Sequence, residues 1–282
     1  PHIHTLHDVQ LSVPSGLLIA GEEQSWLNRS FLRRWYEAAV RRQIGTPDLV
    51  VSPSKFLAGF YQARGMFPAS RIEVLPNPLP PGNRPELPKD RPSMKTKFLF
   101  VGQLESHKGV HVLLQALDQL GDDVELHFAG EGSLADFVSE RSTRDARVTY
   151  HGFVSLNNLV KLLENTDAVV IPSICYENSP TVIYEAFLVG VPVIASRIGG
   201  IPELIEEGKS GLLVAPADGN ELVRAMRRIH TERDIWWEKT VMIREYAHQF
   251  SLETYVTRLE EMIESVIKKK TRYIPVKHKH DP

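Results

Sequence analysis

The sequence holds a single cysteine, Cys175, among its 282 residues. One cysteine cannot form a disulfide within the chain, which excludes the disulfide-stabilised folds of small secreted domains. Long hydrophobic runs are also missing, because no apolar stretch approaches the roughly 18 residues that a membrane-spanning helix needs. So little cysteine is typical of a reducing compartment, and we expect a cytoplasmic protein, in solution or at the inner face of the membrane.

Charge of one sign is not in excess. The 33 lysines and arginines nearly balance the 35 aspartates and glutamates, for a net charge of −2. Nucleic-acid binding usually requires a clear basic excess, so we expect no nucleic-acid partner. Two nucleotide-binding motifs are absent as well. The chain has neither the G-x-x-x-x-G-K-[ST] loop of P-loop NTPases nor the G-x-G-x-x-G turn of dehydrogenases.

What the sequence does have is a regular alternation of short apolar runs with amphipathic helical patterns. This alternation predicts an α/β fold, in which a parallel sheet is covered by helices on both faces. The clearest helical stripes lie at 108–120 and 251–269, where apolar side chains recur at helical spacing. The predicted strands are 2–7, 48–52, 71–75, 97–102, 124–129, 147–151, 167–172, 191–196 and 211–214.

Proline is concentrated in one segment, which holds seven prolines from Pro76 to Pro92. Proline fixes φ and removes a backbone donor, which excludes a helix or a central strand here. We therefore predict a linker at 77–95, between a partial N-terminal Rossmann-like domain at 1–76 and a complete doubly wound Rossmann-like domain at 96–250. Only three strands precede the linker, so we expect the first domain to lack its beginning, on the order of a hundred residues.

The segment 172–190, PSICYENSPTVIYEAFLVG, carries the strongest candidate site. A buried strand ends here and a helix follows, which we expect to have Ser179 as its N-cap and Pro180 at its first position. The free amides of the first turn, at Thr181 and Val182, then point into the crevice at the end of the strand. Together with the helix dipole, they make an anion site suited to a diphosphate.

Two glutamates, Glu177 and Glu185, flank this anion site with seven residues between them. Their carboxylates suit hydroxyl groups rather than phosphate. With the following stretch EAFLVGVPVIASRIGGIPELIEEGKSGLLV, the pattern resembles the donor site of family 4 (group 1) glycosyltransferases of the GT-B architecture, over about residues 97–230. The resemblance implies that Glu177 binds hydroxyls of the donor sugar and that Glu185 binds the ribose. We also assign the adjoining Asn178 and Ser179 to this nucleotide-sugar site.

A second motif is FVGQLESHKG at 100–109, where a strand ends at Gly102 and Lys108 opens the next helix. Lysine supplies a point charge for diphosphate oxygens. In the family that the chain resembles, an arginine usually follows the glycine, whereas this chain has Gln103. The neutral amide still donates hydrogen bonds, but it removes one positive charge from the site.

Three further elements complete the predicted site. Gly130 and Gly132 follow a strand, where glycine lets a ligand approach the backbone, although a plain turn would look the same. In similar proteins the loop that holds Phe153 and Val154 binds the nucleobase through backbone groups, and a core position for Phe153 is the alternative. In similar transferases a histidine in a T-x-H context reaches the donor sugar or the acceptor across the cleft. We carry this role to His7 alone.

The resemblance implies a retaining, hexosyl-type glycosyltransferase of the EC 2.4 class, acting in glycan, polysaccharide or glycolipid biosynthesis. It moves a sugar from a UDP-, GDP- or ADP-sugar to a hydroxyl of a glycan, lipid-linked or small-molecule acceptor, with Glu177, Lys108 and His7 as catalytic residues. No D-x-D triplet is present, with which single-domain transferases hold Mg²⁺ or Mn²⁺, so we expect no metal and no other cofactor. The alternative is a nucleotide-sugar-binding module or partner subunit without catalysis, which Gln103 and the incomplete first domain suggest.

Two helical segments lie outside the predicted site. The basic amphipathic pattern at 26–43, with two tryptophans, suits an anionic membrane surface and predicts a peripheral membrane contact. An ordinary packed helix with a solvated arginine face is the alternative. For the last helix, 251–270, the resemblance implies packing on the N-terminal domain, so that closure of the cleft brings His7 over the donor.

Overall fold

The computed structural model describes residues 1–21, 30–79 and 94–272, in which helices pack on two parallel sheets. The strands are β1 (Ile3–Thr5), β2 (Leu49–Ser52), β3 (Arg71–Val74), β4 (Thr96–Val101), β5 (Val124–Ala129), β6 (Val148–Tyr150), β7 (Ala168–Ile171), β8 (Val193–Ser196) and β9 (Gly211–Val214). The α-helices are α1 (Phe31–Ile44), α2 (Lys55–Gln62), α3 (Val110–Leu117), α4 (Ala135–Arg144), α5 (Leu156–Leu163), α6 (Thr181–Val189), α7 (Gly219–Thr231), α8 (Arg233–Glu238), α9 (Thr240–Tyr246) and α10 (Leu252–Arg272).

The predicted α/β class is confirmed, since every predicted strand is present with bounds within two residues of those expected. Most of the proline-rich linker, and the beginning of the amphipathic pattern at 26–43, lie outside the described residues.

The larger sheet has the strand order β6-β5-β4-β7-β8-β9, with all neighbours parallel. Counted from the first strand of this sheet, the order is 3-2-1-4-5-6, which is that of doubly wound nucleotide-binding domains. Alternate side chains of β4 enter two different cores. Phe98 and Phe100 pack with α3 and α7 on one face, and Leu99 and Val101 pack with α5 and α6 on the other. Both faces are therefore buried, which is why the central strands β7 and β8 are almost wholly apolar.

The smaller sheet has the order β1-β2-β3, again parallel, and its central strand is fully buried. Val50 packs towards α2 on one face. On the other face, Leu49 and Val51 pack with Met262 and Val266 of α10. The C-terminal helix therefore lies on the smaller sheet and ties the two ends of the chain together. Within the described residues, none of the helices combines the length and the apolar character needed to cross a membrane.

Candidate active site

The candidate site lies where β4 and β7 run side by side in the middle of the larger sheet. The chain leaves these strands in opposite directions, from β4 to β5 on one side and from β7 to β8 on the other. Such a reversal opens a crevice at the carboxyl ends of the strands, where doubly wound proteins bind their ligands. A 3-10 helix, Ser106–Lys108, follows β4, and the loop 172–180 follows β7. Both sequence motifs therefore meet at one crevice.

Lys108 and Glu177 form an ion pair at this point. Lys108 Nζ lies 2.6 Å from Glu177 Oε1, and the Ser173 hydroxyl donates to the same oxygen at 3.0 Å. The two side chains are only 23% and 16% exposed, so the pair is shielded from water but still reachable by a ligand. The His107 carbonyl accepts the Ile174 amide at 2.8 Å. Side chains and backbone thus join the two loops into one unit.

Helix α6 begins one residue later than the sequence suggested. Thr181 is its first residue and Pro180 is its N-cap, so the prediction of Ser179 as N-cap is wrong. The reason is that the Ser179 hydroxyl pairs with the Tyr184 hydroxyl, one turn along the helix, instead of accepting from a helix amide. Among the described residues, the amides of Thr181 and Val182 have no acceptor. Two free donors therefore stand at the start of this helix.

Glu185 follows Thr181 by four residues, which places the two on the same face of α6. Glu185 is half-buried, and in the described part of the chain its carboxylate has neither a hydrogen-bond nor an ion-pair partner. Burial raises the pKa of Glu185 above the usual value for glutamate, because the charged form loses water without gaining a partner. Such a carboxylate is a ready acceptor for ligand hydroxyls.

Glycines bring the strand-end loops together by direct backbone contact. A Cβ on Gly130 would lie 1.9 Å from the Gly102 carbonyl oxygen, and one on Gly132 would lie 2.5 Å from the Leu104 carbonyl oxygen. A Cβ on Gly102, in contrast, would meet open space, although its φ of 147° also favours glycine. Loop packing alone thus explains why glycine stands at positions 130 and 132. The proposed contact of Gly130 and Gly132 with a ligand stays a prediction.

The predicted nucleobase loop lies on the same rim. The Gly130 amide donates to the Gly152 carbonyl at 2.8 Å, which joins this loop to the one after β5. The Phe153 side chain is 75% exposed, so the alternative of a core position is wrong, while Val154 packs on the core beside it. Gln103 is exposed, and its side-chain amide has no hydrogen-bond partner in the part of the chain that is described.

We call the part of the chain around the smaller sheet the smaller domain and the part around the larger sheet the larger domain. The smaller domain contacts the loop that carries Glu177. His7 is exposed just after β1, and its carbonyl oxygen accepts a hydrogen bond from the Asn178 side chain at 3.1 Å. On the other side of Glu177, the Tyr176 ring stacks on the Phe56 ring with centroids 5.0 Å apart. The loop that carries Glu177 is therefore held by both domains, and His7 lies close to it.

Comparison with known proteins identifies the family. The family model described as glycosyl transferases group 1 matches residues 84–250, more than half of the chain. The chain belongs to this family. Among curated relatives, the D-inositol 3-phosphate glycosyltransferase of an Arthrobacter species is 28% identical over 307 residues, which cover 99% of this chain and 68% of the relative. The glycogen synthase of Mycobacterium tuberculosis is 37% identical over 139 residues, which cover 47% of this chain and 33% of the relative.

The architecture of the group 1 glycosyltransferases is also found by structural comparison. The crystal structure of Anabaena HepE in complex with UDP superposes with a TM-score of 0.74 at 24% identity, covering 93% of this chain and 72% of HepE. This likeness shows the GT-B fold, as predicted. The matches to the first curated relatives span only about a third of their length, 35% and 33% for two of them.

Sequence reasoning missed several residues that hold the site of this group 1 family member in place. Ser173 bonds Glu177, as described above, and the Asn77 side chain donates to the Ser179 carbonyl at 3.2 Å. Glu203, from the stretch GGIPE, contacts the smaller domain. Apart from the Ser173 contact, these contacts join residues more than a hundred positions apart, so no local sequence pattern predicts them.

Proposed function

We propose that this chain carries the donor site of a retaining glycosyltransferase, which moves a sugar from a nucleotide diphosphate sugar to an acceptor hydroxyl in glycan, polysaccharide or glycolipid biosynthesis. The observation that carries the proposal is the meeting of Lys108 and Glu177 beside the free amides of Thr181 and Val182. A cation, free backbone donors and carboxylates around one crevice match the chemistry of a diphosphate that links two sugars.

In the proposed complex, the diphosphate lies against the start of α6, where two free amides and the helix dipole stabilise negative charge. Glu185, one turn along, accepts hydrogen bonds from the ribose hydroxyls. Lys108 exchanges part of its contact with Glu177 for a phosphate oxygen, and Glu177 then accepts hydroxyls of the donor sugar. The ion pair seen in the structure is therefore a resting arrangement that the donor opens.

The rim of the crevice holds the rest of the nucleotide. Backbone groups at Phe153 and Val154 bind the base, and Gly102 and Gln103 border the phosphates. HepE was solved in complex with UDP, so a uridine diphosphate sugar is the first donor to try. Lys108 and the helix amides supply the charge stabilisation that a divalent metal gives in other transferases, and we propose that no metal is needed.

Transfer breaks the bond between the anomeric carbon and the phosphate oxygen, and it forms a bond from that carbon to the acceptor oxygen. Negative charge grows on the departing diphosphate, where Lys108 and the amides of α6 stabilise it. Preorganised donors of this kind are usually the largest single contribution to catalysis. The acceptor proton passes to the departing phosphate oxygen on the same face of the sugar, which retains the anomeric configuration. His7 contacts the sugar or the acceptor from the smaller domain.

The exposed side chains of helix α1, in the predicted acceptor-side domain, favour contact with a lipid surface. Its buried face holds the ion pair Arg33–Glu37, whereas Phe31, Leu32 and Trp35 are 80%, 76% and 66% exposed. An ordinary amphipathic helix buries its apolar side chains. The second half of α1 does so, since Val40 and Ile44 pack on the core of the smaller sheet, but its first half is arranged the opposite way. Exposed aromatic side chains beside the arginines of this helix suit an anionic membrane surface. We therefore propose that the protein makes a peripheral membrane contact through α1.

The decisive experiment measures nucleotide release from UDP-, GDP- and ADP-sugars, with and without candidate acceptors and in the presence of EDTA. Release that depends on an acceptor supports transfer. Glu177→Ala should abolish it, whereas Glu140→Ala, on the distant helix α4, should not. Binding of a nucleotide sugar without any release would instead favour the alternative of a binding module or partner subunit. Gln103 suggests that alternative.

A further inference from the structure

Glu203 joins the two domains at the start of α2. The first amides of an α-helix have no acceptor within the helix. In α2 the Lys55 amide donates to Glu203 Oε2 and the Phe56 amide donates to Glu203 Oε1, both at 2.7 Å. Ser54 accepts the next amide, that of Leu57, at 3.1 Å from within the smaller domain. One carboxylate of the larger domain thus satisfies two helix donors of the smaller domain, 148 residues away for the first of them.

The 3-10 helix that carries Glu203 is bonded to the loop that carries Glu177. Glu203 ends the 3-10 helix that follows Gly200. The Gly200 amide donates to the Glu177 carbonyl at 2.7 Å. A Cβ on Gly200 would lie 2.0 Å from the Asn178 carbonyl oxygen and 2.8 Å from Ser54 Cβ. Gly200 is therefore packed between the donor loop and the start of α2, with Glu203 bonded to that helix start.

Phe56 makes a second connection between the helix start and the donor loop. Its amide is bound by Glu203, and its ring lies parallel to the Tyr176 ring, at an interplanar angle of 4°. Tyr176 directly precedes Glu177. The start of α2 thus reaches the donor loop both through Gly200 and through this ring stack, and both contacts converge on Glu177.

We propose that Glu203 is a positioning residue, which latches the smaller domain onto the larger one and thereby fixes Glu177 and His7 relative to each other. The candidate nucleotide contacts all lie in the larger domain, whereas the latch holds the smaller domain. Loss of the latch should therefore lower turnover and leave nucleotide affinity unchanged. A residue that served only the stability of its own domain would not separate the two quantities in this way.

Hydrogen exchange of the whole chain, followed by mass spectrometry, measures the latch directly. In Glu203→Ala the amides of Lys55 and Phe56 lose their acceptor, and their exchange should accelerate on the order of tenfold. Peptides covering 172–178 should also exchange faster, because the donor loop loses its support from α2. Lys55→Pro removes one donor from the other side of the latch. Proline suits the first position of a helix, and Ser54 before it is already extended.

Glu206→Ala is the matched control, because Glu206 is exposed and pairs with Lys209 of its own domain at 3.2 Å. We expect faster exchange at 172–178 in Glu203→Ala and Lys55→Pro but not in the control. If Glu203→Ala exchanges like Glu206→Ala, the latch is refuted.

A second measurement addresses catalysis, and only this part of the inference rests on the proposed function. Glu203→Ala should lower kcat about tenfold while the affinity for UDP stays within about twofold of the unaltered protein. Glu203→Gln, which keeps one acceptor oxygen, should recover part of the loss. Equal losses of kcat and UDP affinity would overturn the positioning role. Faster exchange in the variant, in a protein that transfers no sugar, would uphold the latch and refute the proposed function.

Discussion

We expect the half-buried carboxylate of Glu185 to lower the stability of the ligand-free protein and to strengthen its binding of nucleotide. Nothing in the described residues pairs with it, and burial raises its pKa. Glu185→Gln removes the charge and keeps the shape. We expect it to raise the free energy of unfolding of the ligand-free protein by about 1 kcal/mol, because a charged group costs more to bury without a partner than a neutral amide does, and because Glu185 is partly exposed. For a chain of this length, that gain corresponds to a rise in Tm of about 2 °C.

The gain should depend on pH in a defined direction. Because the pKa of Glu185 is raised in the folded state, the folded protein keeps this proton at pH values where the unfolded chain has lost it. Protonation therefore supports the folded state at low pH, and this support is lost as the pH rises through the raised pKa. The advantage of Glu185→Gln over the unaltered protein should accordingly be small in acid and largest at neutral pH.

The same substitution should weaken nucleotide binding, because an amide oxygen accepts the ribose hydroxyls less well than a carboxylate. Hydrogen bonds to charged groups contribute about 1.5–3 kcal/mol, which corresponds to a rise in Kd of about 10- to 100-fold. Thermal unfolding at increasing concentrations of UDP, GDP or ADP measures both effects in one experiment. Glu206→Gln, at an exposed site, is the control. A lower Tm for ligand-free Glu185→Gln, or an undiminished nucleotide-induced shift, would refute this account of Glu185.

Three other predictions concern the charge at the phosphates and the surface of α1. Lys108→Ala should lower the rate of nucleotide release about 100-fold, because the departing diphosphate loses its cation; a loss below threefold would contradict that role. Gln103→Arg should raise the same rate up to about tenfold by adding a charge beside those oxygens, and an unchanged rate would place Gln103 away from the leaving group. Phe31→Ser combined with Trp35→Ser should reduce co-sedimentation with vesicles that contain phosphatidylglycerol, without changing release with a soluble acceptor. Unchanged co-sedimentation of the double variant would argue against the membrane contact through α1, and equal binding of the unaltered protein to neutral vesicles would argue against a preference for an anionic surface.

The strands of the larger sheet could be predicted closely because burial on both faces leaves a strong signal. In β7 and β8 every residue is buried, and each strand reads as a short apolar run between turns. The strand order could not be obtained from that signal, since periodicity does not say which strands are neighbours. It is seen only in the structure, where it is the order that doubly wound domains share.

The candidate site was predictable where it depends on local structure. A strand, a loop and a helix in sequence place Lys108 and the free amides of α6 at the same edge of the sheet, whatever lies elsewhere. The prediction failed for Ser179, whose hydroxyl has two partners within reach, the helix amides or the Tyr184 hydroxyl. Serine side chains often make such competing local bonds, and composition alone does not decide between them.

In the resting state of the site, the cation expected to bind phosphate, Lys108, is already paired, and the donor must change this. Lys108 is matched by Glu177, and Gln103 adds no charge to the strand-end loop. In the proposed complex the first attraction for a diphosphate therefore comes from the backbone donors and the dipole of α6. Only when a phosphate oxygen competes for Lys108 does Glu177 become free to accept sugar hydroxyls. Binding of the phosphates and recognition of the sugar are then one coupled event, so a nucleotide without a sugar would leave Glu177 freed of its cation but without hydroxyls to bind.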